Sequence, residues 1–225
     1  MNNAEDWCQR ALNYQFSDPS LLHRALTHRS ASPLNNERLE FLGDAVLDLV
    51  ISRALFDGMP SVREYGLTRY RAELVRKETL VEVAGSIDLA PWIIVSSGEN
   101  QSGLRHRDSV LGNAVEAIIG AIFLDGGYSA ARQVILSLFH ERLGNLPDEE
   151  ALKDPKTRLQ EYLQGRKMPL PEYALVEIDG PDHAHTVAVT CRLSRLGIET
   201  TASDTSRRRA EQAAAARALE AIADV

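Results

Sequence analysis

Residues 37–48 read ERLEFLGDAVLD, and their reading decides how the first two thirds of the chain folds. Leu39, Leu42, Val46 and Val50 recur at helical spacing through 37–56, which predicts an amphipathic helix. At ~100° per residue, Glu37, Glu40, Asp44 and Asp48 fall within an arc of about 80°, with Phe41 in or just beside it. Like charges three and four residues apart destabilise a helix by about a few tenths of a kcal/mol per pair. Arg38 and Arg53 are the only bases of this helix, and neither is spaced to relieve the group. A solvated acidic face is the plain explanation. Against it stand the missing bases and a matching fragment further along.

That fragment is RDSVLGNAVEAIIGAIFLDGG, residues 107–127. Asn113 and Glu116 lie one helical turn apart, with Gly112, Ala117, Gly120 and Ala121 around the same side. Small residues let another backbone come close, and Gly43 offers the same on the first helix. Two helices meeting there would converge Glu40, Asp44, Asn113 and Glu116 into one oxygen-rich pocket. Such donors suit a hard cation, Mg²⁺ or Mn²⁺, and not zinc. The alternative is a helix pair that only packs tightly.

The rest of the first 143 residues also reads as helix. Asp18-Pro19 is a cap followed by proline at the first helical position, ahead of LLHRALTHRS. SASPLNN (30–36) is a turn cluster, and Asn36 is placed to cap the helix at Glu37. Gly126 and Gly127 make a natural stop. Residues 147–154 are polar, acidic and bounded by proline, the look of a linker. Beyond them come a short amphipathic helix, three β-like segments (EYALVEID, HTVAVTCRLS, IETTASD) and an alanine-rich helix of high intrinsic propensity. The order α-β-β-β-α in about 70 residues is a small α+β module.

Composition agrees with two domains. With 44% hydrophobic and 25% charged residues, the chain has ordinary globular content. Residues 151–225 hold 11 Lys/Arg and 11 Asp/Glu, so the other 14 bases of 25 and 21 acids of 32 fall in residues 1–150. The whole excess of −7 therefore belongs to the first part. Cys8 and Cys191 stand apart, outside any CxxC or Cys/His cluster, so a disulfide or zinc framework is not expected. No apolar run approaches the length of a bilayer-spanning helix, and the acidic N-terminus is unlike a secretory signal, which together predict a cytoplasmic protein.

NERLEFLGDAVLDL (36–49) resembles the signature of the ribonuclease III family, and VEAIIGAIFLD resembles that family's second acidic motif. The region from KDPKTRLQEYLQ to SRRRAEQAAAARAL resembles the double-stranded-RNA-binding domain that follows it in bacterial members. The resemblance implies an all-α endonuclease domain over 1–146, a linker at 147–154 and an α+β double-stranded-RNA-binding domain over 155–225. It implies an endoribonuclease that cleaves double-stranded RNA by divalent-metal-assisted phosphodiester hydrolysis. The products would carry 5′-phosphate and 3′-hydroxyl ends, and precursors of ribosomal RNA and other structured RNAs would be targets. Mg²⁺ would be the cofactor, with Mn²⁺ able to substitute and no organic cofactor. By position, Glu40, Asp44, Asn113 and Glu116 would bind the metal. Asp44 and Glu116 would be the residues least spared, while Glu37 and Glu64 would be further acids near the cleavage site. Asp48 has no counterpart and reads as a solvated acid. Phe41 would insert into a cavity of a second subunit, giving a homodimer.

For the RNA grip, the resemblance implies Thr157, Gln160 and Glu161 on one helix, His183 in the GPDHAH loop (180–185), and Arg207 and Arg208 opening the last helix. The family usually has aspartate where this chain has Asn113, and Gly-x-Gly where it has Ala202-Ser203-Asp204. The first departure predicts a weaker metal site, the second a weaker hold on RNA. Asn113 also keeps open a non-catalytic or weakly catalytic dimeric RNA-binding protein. A metal-dependent phosphatase or nucleotide hydrolase would explain the acids but leave the RNA module idle.

Overall fold

The computed structural model describes residues 4–101, 103–147, 153–179 and 186–223, and the chain divides into two compact units, 1–146 and 147–225. The first unit is helical. It runs through α1 (Ala4–Leu12), α2 (Pro19–Leu26), α3 (Glu37–Gly58), α4 (Glu64–Val75), α5 (Lys77–Ser86), α6 (Ser97–Gln101), α7 (Asp108–Leu138) and α8 (His140–Gly144). Asp18 caps α2 as its sequence predicts, its side chain accepting from the Ser20 amide at 2.9 Å. The cap of α3 differs from expectation. Asn36 makes no side-chain cap hydrogen bond, whereas the Asn35 Oδ1 accepts from the Glu37 amide at 3.0 Å. Asn36 is instead buried.

The core lies along α7, whose Val110, Ala114, Val115, Ile118, Ile119 and Ile122 are all buried. This helix contains a window of mean hydropathy 1.4, so by length and composition it passes for a membrane span, contrary to the sequence expectation. In the fold 61% of that window is buried inside the protein, and its apolar content serves the core. Gly127 adopts φ +74°, which breaks the helical backbone, but hydrogen bonding resumes and the element continues to Leu138. The predicted stop is thus a kink. Asp125, just before it, accepts from the Tyr14 hydroxyl (2.7 Å) and from the amides of Ser17 and Asp18 (2.9 Å each), tying the N-terminal segment to α7.

Two glycines set the packing that matters for function. A Cβ on Gly43 would stand 1.8 Å from the Glu116 carbonyl oxygen, and one on Gly120 would stand 2.2 Å from that of Leu39. The backbones of α3 and α7 therefore touch, which only glycine permits. Gly112 does not take part: its missing Cβ points at Leu80 of α5 with room to spare.

The second unit comprises α9 (Pro155–Gly165), β1 (Glu172–Asp179), β2 (Thr186–Leu193), β3 (Ile198–Asp204) and α10 (Arg207–Ala223). The strands form one antiparallel sheet in the order β1-β2-β3, with a bulge between Leu175 and Glu177. Leu159 and Leu163 of α9 and Ala214, Ala215 and Ala218 of α10 bury against Cys191, Leu193 and Ala202 of the sheet. The small alanine side chains let α10 lie close to the strands, and the Thr200 hydroxyl reaches the Ala214 carbonyl at 2.8 Å. Both cysteines are buried free thiols.

Candidate active site

The contact of α3 and α7 at Gly43 and Gly120 carries the acids of one helix to those of the other. The Asn113 amide donates a hydrogen bond to the Glu40 carboxylate. Burial pushes Glu40 above its ordinary pKa; the Asn113 hydrogen bond opposes this, and the neighbouring Glu37 and Asp44 add to it. Glu116 is pushed up to about 7, first by burial and then by Asp44, Glu40 and Asp48. The four oxygen-bearing side chains thus share one field. Glu37 and Glu40 line a cleft of about 420 Å³ with His28, Arg29, Ser109 and Asn113.

Where a sequence reading finds no base, the fold supplies two from other elements. Arg29, in the turn after α2, places Nη1 3.6 Å from Glu37 Oε1. Arg71 of α4 places Nε 4.0 Å from Asp48 Oδ1 and donates to the Ser52 hydroxyl at 3.2 Å. Asp48 remains a half-exposed acid, 41% open to solvent, as expected, but it is not wholly wet. Its Oδ1 is shut from solvent without a hydrogen bond, and its charge acts on Glu116. Burial and Arg29 hold the His28 imidazole below its ordinary pKa.

Glu64 is not gathered into this group. It opens α4, accepts from the Thr68 hydroxyl at 2.9 Å, and lines a separate, more apolar cleft with Phe56, Leu67 and Arg71. Phe41 is 81% exposed beside a groove formed with Leu42 and Leu124, an unusual setting for an aromatic ring.

Among the described residues, no three His, Cys, Asp or Glu side chains already form a chelate. The donor set still fits a hard divalent cation: every candidate offers oxygen, and the shared negative field that raises Glu40 and Glu116 is what a cation would relieve.

In the second unit, the Thr157 hydroxyl donates to Asp154 at 2.9 Å as part of the α9 cap, so it is occupied structurally. Gln160 is exposed, and Glu161 is paired with Lys153. Arg207 and Arg208 are exposed at the start of α10. Arg207 Nε is 2.9 Å from Glu211, four residues on, which also binds Lys156 at 2.6 Å; sequence reading missed the Lys156 arm of this bridge because it lies 55 residues from Glu211. Asp204 accepts from the amide and hydroxyl of Thr205, so it shapes the turn before α10. His183 lies outside the described residues.

Comparison with known proteins places both units. A Ribonuclease-III-like family model matches residues 18–143, and a double-stranded RNA binding motif matches residues 155–222. The Ribonuclease 3 of Vibrio atlanticus is 46% identical over 225 residues, covering all of both chains. The chain belongs to the ribonuclease III family. The Ribonuclease 3 of Thiobacillus denitrificans is 47% identical over 220 residues, 97% of each chain. The crystal structure of the nuclease domain of Ribonuclease III from Campylobacter jejuni aligns at a TM-score of 0.61 with 40% identity, covering 65% of this chain and 100% of that one. This ribonuclease III is an endoribonuclease with a helical nuclease domain followed by a double-stranded-RNA-binding domain.

Proposed function

We propose that this ribonuclease III hydrolyses phosphodiesters of double-stranded RNA at the α3–α7 crossing, with Mg²⁺ as its natural cofactor and Mn²⁺ as a substitute. The carrying observation is the convergence of Glu40, Asp44, Asn113 and Glu116 across the Gly43–Gly120 contact. When bound, the divalent ion supplies Lewis acidity toward the scissile phosphate and toward water. Glu40, Asp44 and Glu116 would hold it by carboxylate oxygens and Asn113 by its amide oxygen. Glu37 stands at the cleft mouth beside Arg29, and a cation offsetting its neighbours would favour the charged form of the half-buried Glu116, which burial and those neighbours disfavour. The products would be 5′-phosphate and 3′-hydroxyl ends, from ribosomal precursors and other structured RNAs in the cytoplasm. Incubating the protein with long double-stranded RNA and Mg²⁺, beside an EDTA control, tests the reading. Metal-dependent release of 5′-phosphorylated fragments supports it, and binding without cutting supports the scaffold alternative that Asn113 raises.

Asn113 makes the metal site weaker than an aspartate would. Asn113→Asp removes the hydrogen bond to Glu40 and adds a negative charge, so half-maximal cleavage should need several-fold less Mg²⁺. A titration showing the same Mg²⁺ requirement for both proteins would disprove this.

The working form is a homodimer in which Phe41 packs into the partner, a reading supported by its exposure and the groove around it. One solved ribonuclease III nuclease domain, that of Campylobacter jejuni, is described by a region involved in dimer formation. Burying a phenylalanine contributes about 1.5–3 kcal/mol, and a two-fold interface buries it twice. Phe41→Ala should therefore weaken dimerisation by roughly 100-fold or more in sedimentation. An unchanged dimer constant would refute the role.

A further inference from the structure

The turn Thr27–Ser30 is tied down on every side. The Thr27 hydroxyl donates to the His23 carbonyl (2.7 Å), and the Asn36 amide donates to the Thr27 carbonyl (3.0 Å). The His28 amide reaches the Ile94 carbonyl (2.9 Å), while the Ile94 amide returns to Leu26 (2.8 Å). Ser30 donates its amide to His28 Nδ1 (3.1 Å) and accepts from the Ser96 amide on its hydroxyl (3.2 Å). Thr27 itself is 2% exposed. Ordering a surface turn this firmly carries an entropic cost, and rigid supports of this kind are how proteins hold a functional side chain in place. The long side chain it presents is Arg29, 71% exposed at the mouth of the acid cleft.

We propose that Arg29 is a phosphate-contact residue of the cleavage cleft, exchanging Glu37 for a backbone phosphate of the bound RNA duplex. Its present pairing is easily surrendered: 3.6 Å between two solvent-exposed groups contributes little. A phosphate can take the planar guanidinium through two parallel hydrogen bonds, a stronger arrangement. Need points the same way. Residues 1–150 carry 21 acids against 14 bases, so a polyanion approaching Glu40 and Glu116 requires a local cation. Arg53, Arg76 and Arg142 sit in closer ion pairs of 2.7–3.0 Å and do not line this cleft. Arg29 does. The exchange would also release Glu37 beside the scissile bond.

This inference rests on the endoribonuclease reading, and the test separates the two. Binding of a 30-base-pair RNA duplex is measured in EDTA over a salt series for the wild type, Arg29→Gln, Arg29→Lys and Arg53→Ala. Loss of one phosphate contact lowers the slope of log affinity against log salt by about one, so by about two for a homodimer that loses one from each protomer. Arg29→Gln should show that drop and bind roughly 10-fold more weakly at the lower salt concentrations. Arg29→Lys should keep the slope but bind several-fold more weakly, since a point charge replaces a fork. Arg53→Ala should match the wild type. A wild-type slope in Arg29→Gln overturns the proposal, as does wild-type affinity in Arg29→Lys, which also covers failure of the glutamine variant to fold. A wild type that binds the duplex yet never cuts it with Mg²⁺ sinks the endoribonuclease reading instead, and this inference with it.

Discussion

Glu116→Gln is expected to abolish cleavage, lowering kcat by roughly 10³-fold or more with duplex binding in EDTA retained. The substitution keeps the size of the side chain and removes one charge from the cation site. Charge stabilisation by a bound divalent ion is worth several kcal/mol, and about 4 kcal/mol corresponds to a thousand-fold in rate. The same variant should erase a pH effect on stability. Folding raises Glu116 from its ordinary 4.5 to about 7, so the folded state favours the protonated acid. The stabilisation this group contributes is present below about pH 4.5 and is lost as pH rises through about 7. Metal-free wild type should therefore lose Tm between about pH 5 and pH 8 relative to Glu116→Gln. Added Mg²⁺ should raise the wild-type Tm more at about pH 8 than at about pH 6, because at the lower pH it must displace a proton. A glutamine variant that cuts RNA at the wild-type rate would remove Glu116 from the mechanism. Parallel pH–Tm curves for the two metal-free proteins would show that Glu116 is not strained.

Gly43→Ala should be the most damaging single methyl in the nuclease domain. Its Cβ would lie 1.8 Å from the Glu116 carbonyl oxygen, 2.6 Å from the carbonyl carbon and 2.9 Å from the Gly120 nitrogen. All three are backbone atoms, so no side chain can swing aside and the helices must part. Overpacking a core ordinarily costs about 1–3 kcal/mol, and rigid backbone on both sides puts this case at or above the top of that range. The helix-propensity gain of about 1 kcal/mol for alanine over glycine offsets only part of it. At about 2–4 °C per kcal/mol for a chain of this size, Tm should fall by roughly 5–10 °C. Cleavage should fall further than stability alone dictates, since parting the helices draws Asp44 away from Glu116. Gly85→Ala is the control: nothing stands within 4 Å of its added Cβ, so it should be neutral or slightly stabilising. Equal melting temperatures for Gly43→Ala and Gly85→Ala would disprove the close contact.

The features legible in the sequence are those set by neighbours along the chain. The Asp18-Pro19 cap, the strands Thr186–Leu193 and Ile198–Asp204, and the alanine-rich last helix each follow from local sequence, and the structure shows all of them. The acid pattern of α3 and the paired Asn113 and Glu116 were equally readable. Errors arose where a distant segment intervenes. Asn36 stands at the N-cap of α3 as read, but it is buried and its side chain makes no cap bond, so the Asn35 Oδ1 takes the Glu37 amide instead. Asp48 keeps a half-exposed side chain, yet α4 brings Arg71 to 4.0 Å from it, a neighbour that spacing along α3 does not reveal.

What the sequence alone determined is the inventory: oxygen donors at fixed helical intervals, glycines where two helices can touch, and an RNA-binding module of the family's order. The tertiary structure decided how those donors behave. It set which acids share one field, which base answers Glu37, that Glu116 is pushed up to about 7, and that Glu64 stands apart from the cluster. Spacing along a helix fixes direction, which is local. Charge state and pairing depend on desolvation and on distances through space, and those exist only once α3 and α7 have closed on each other.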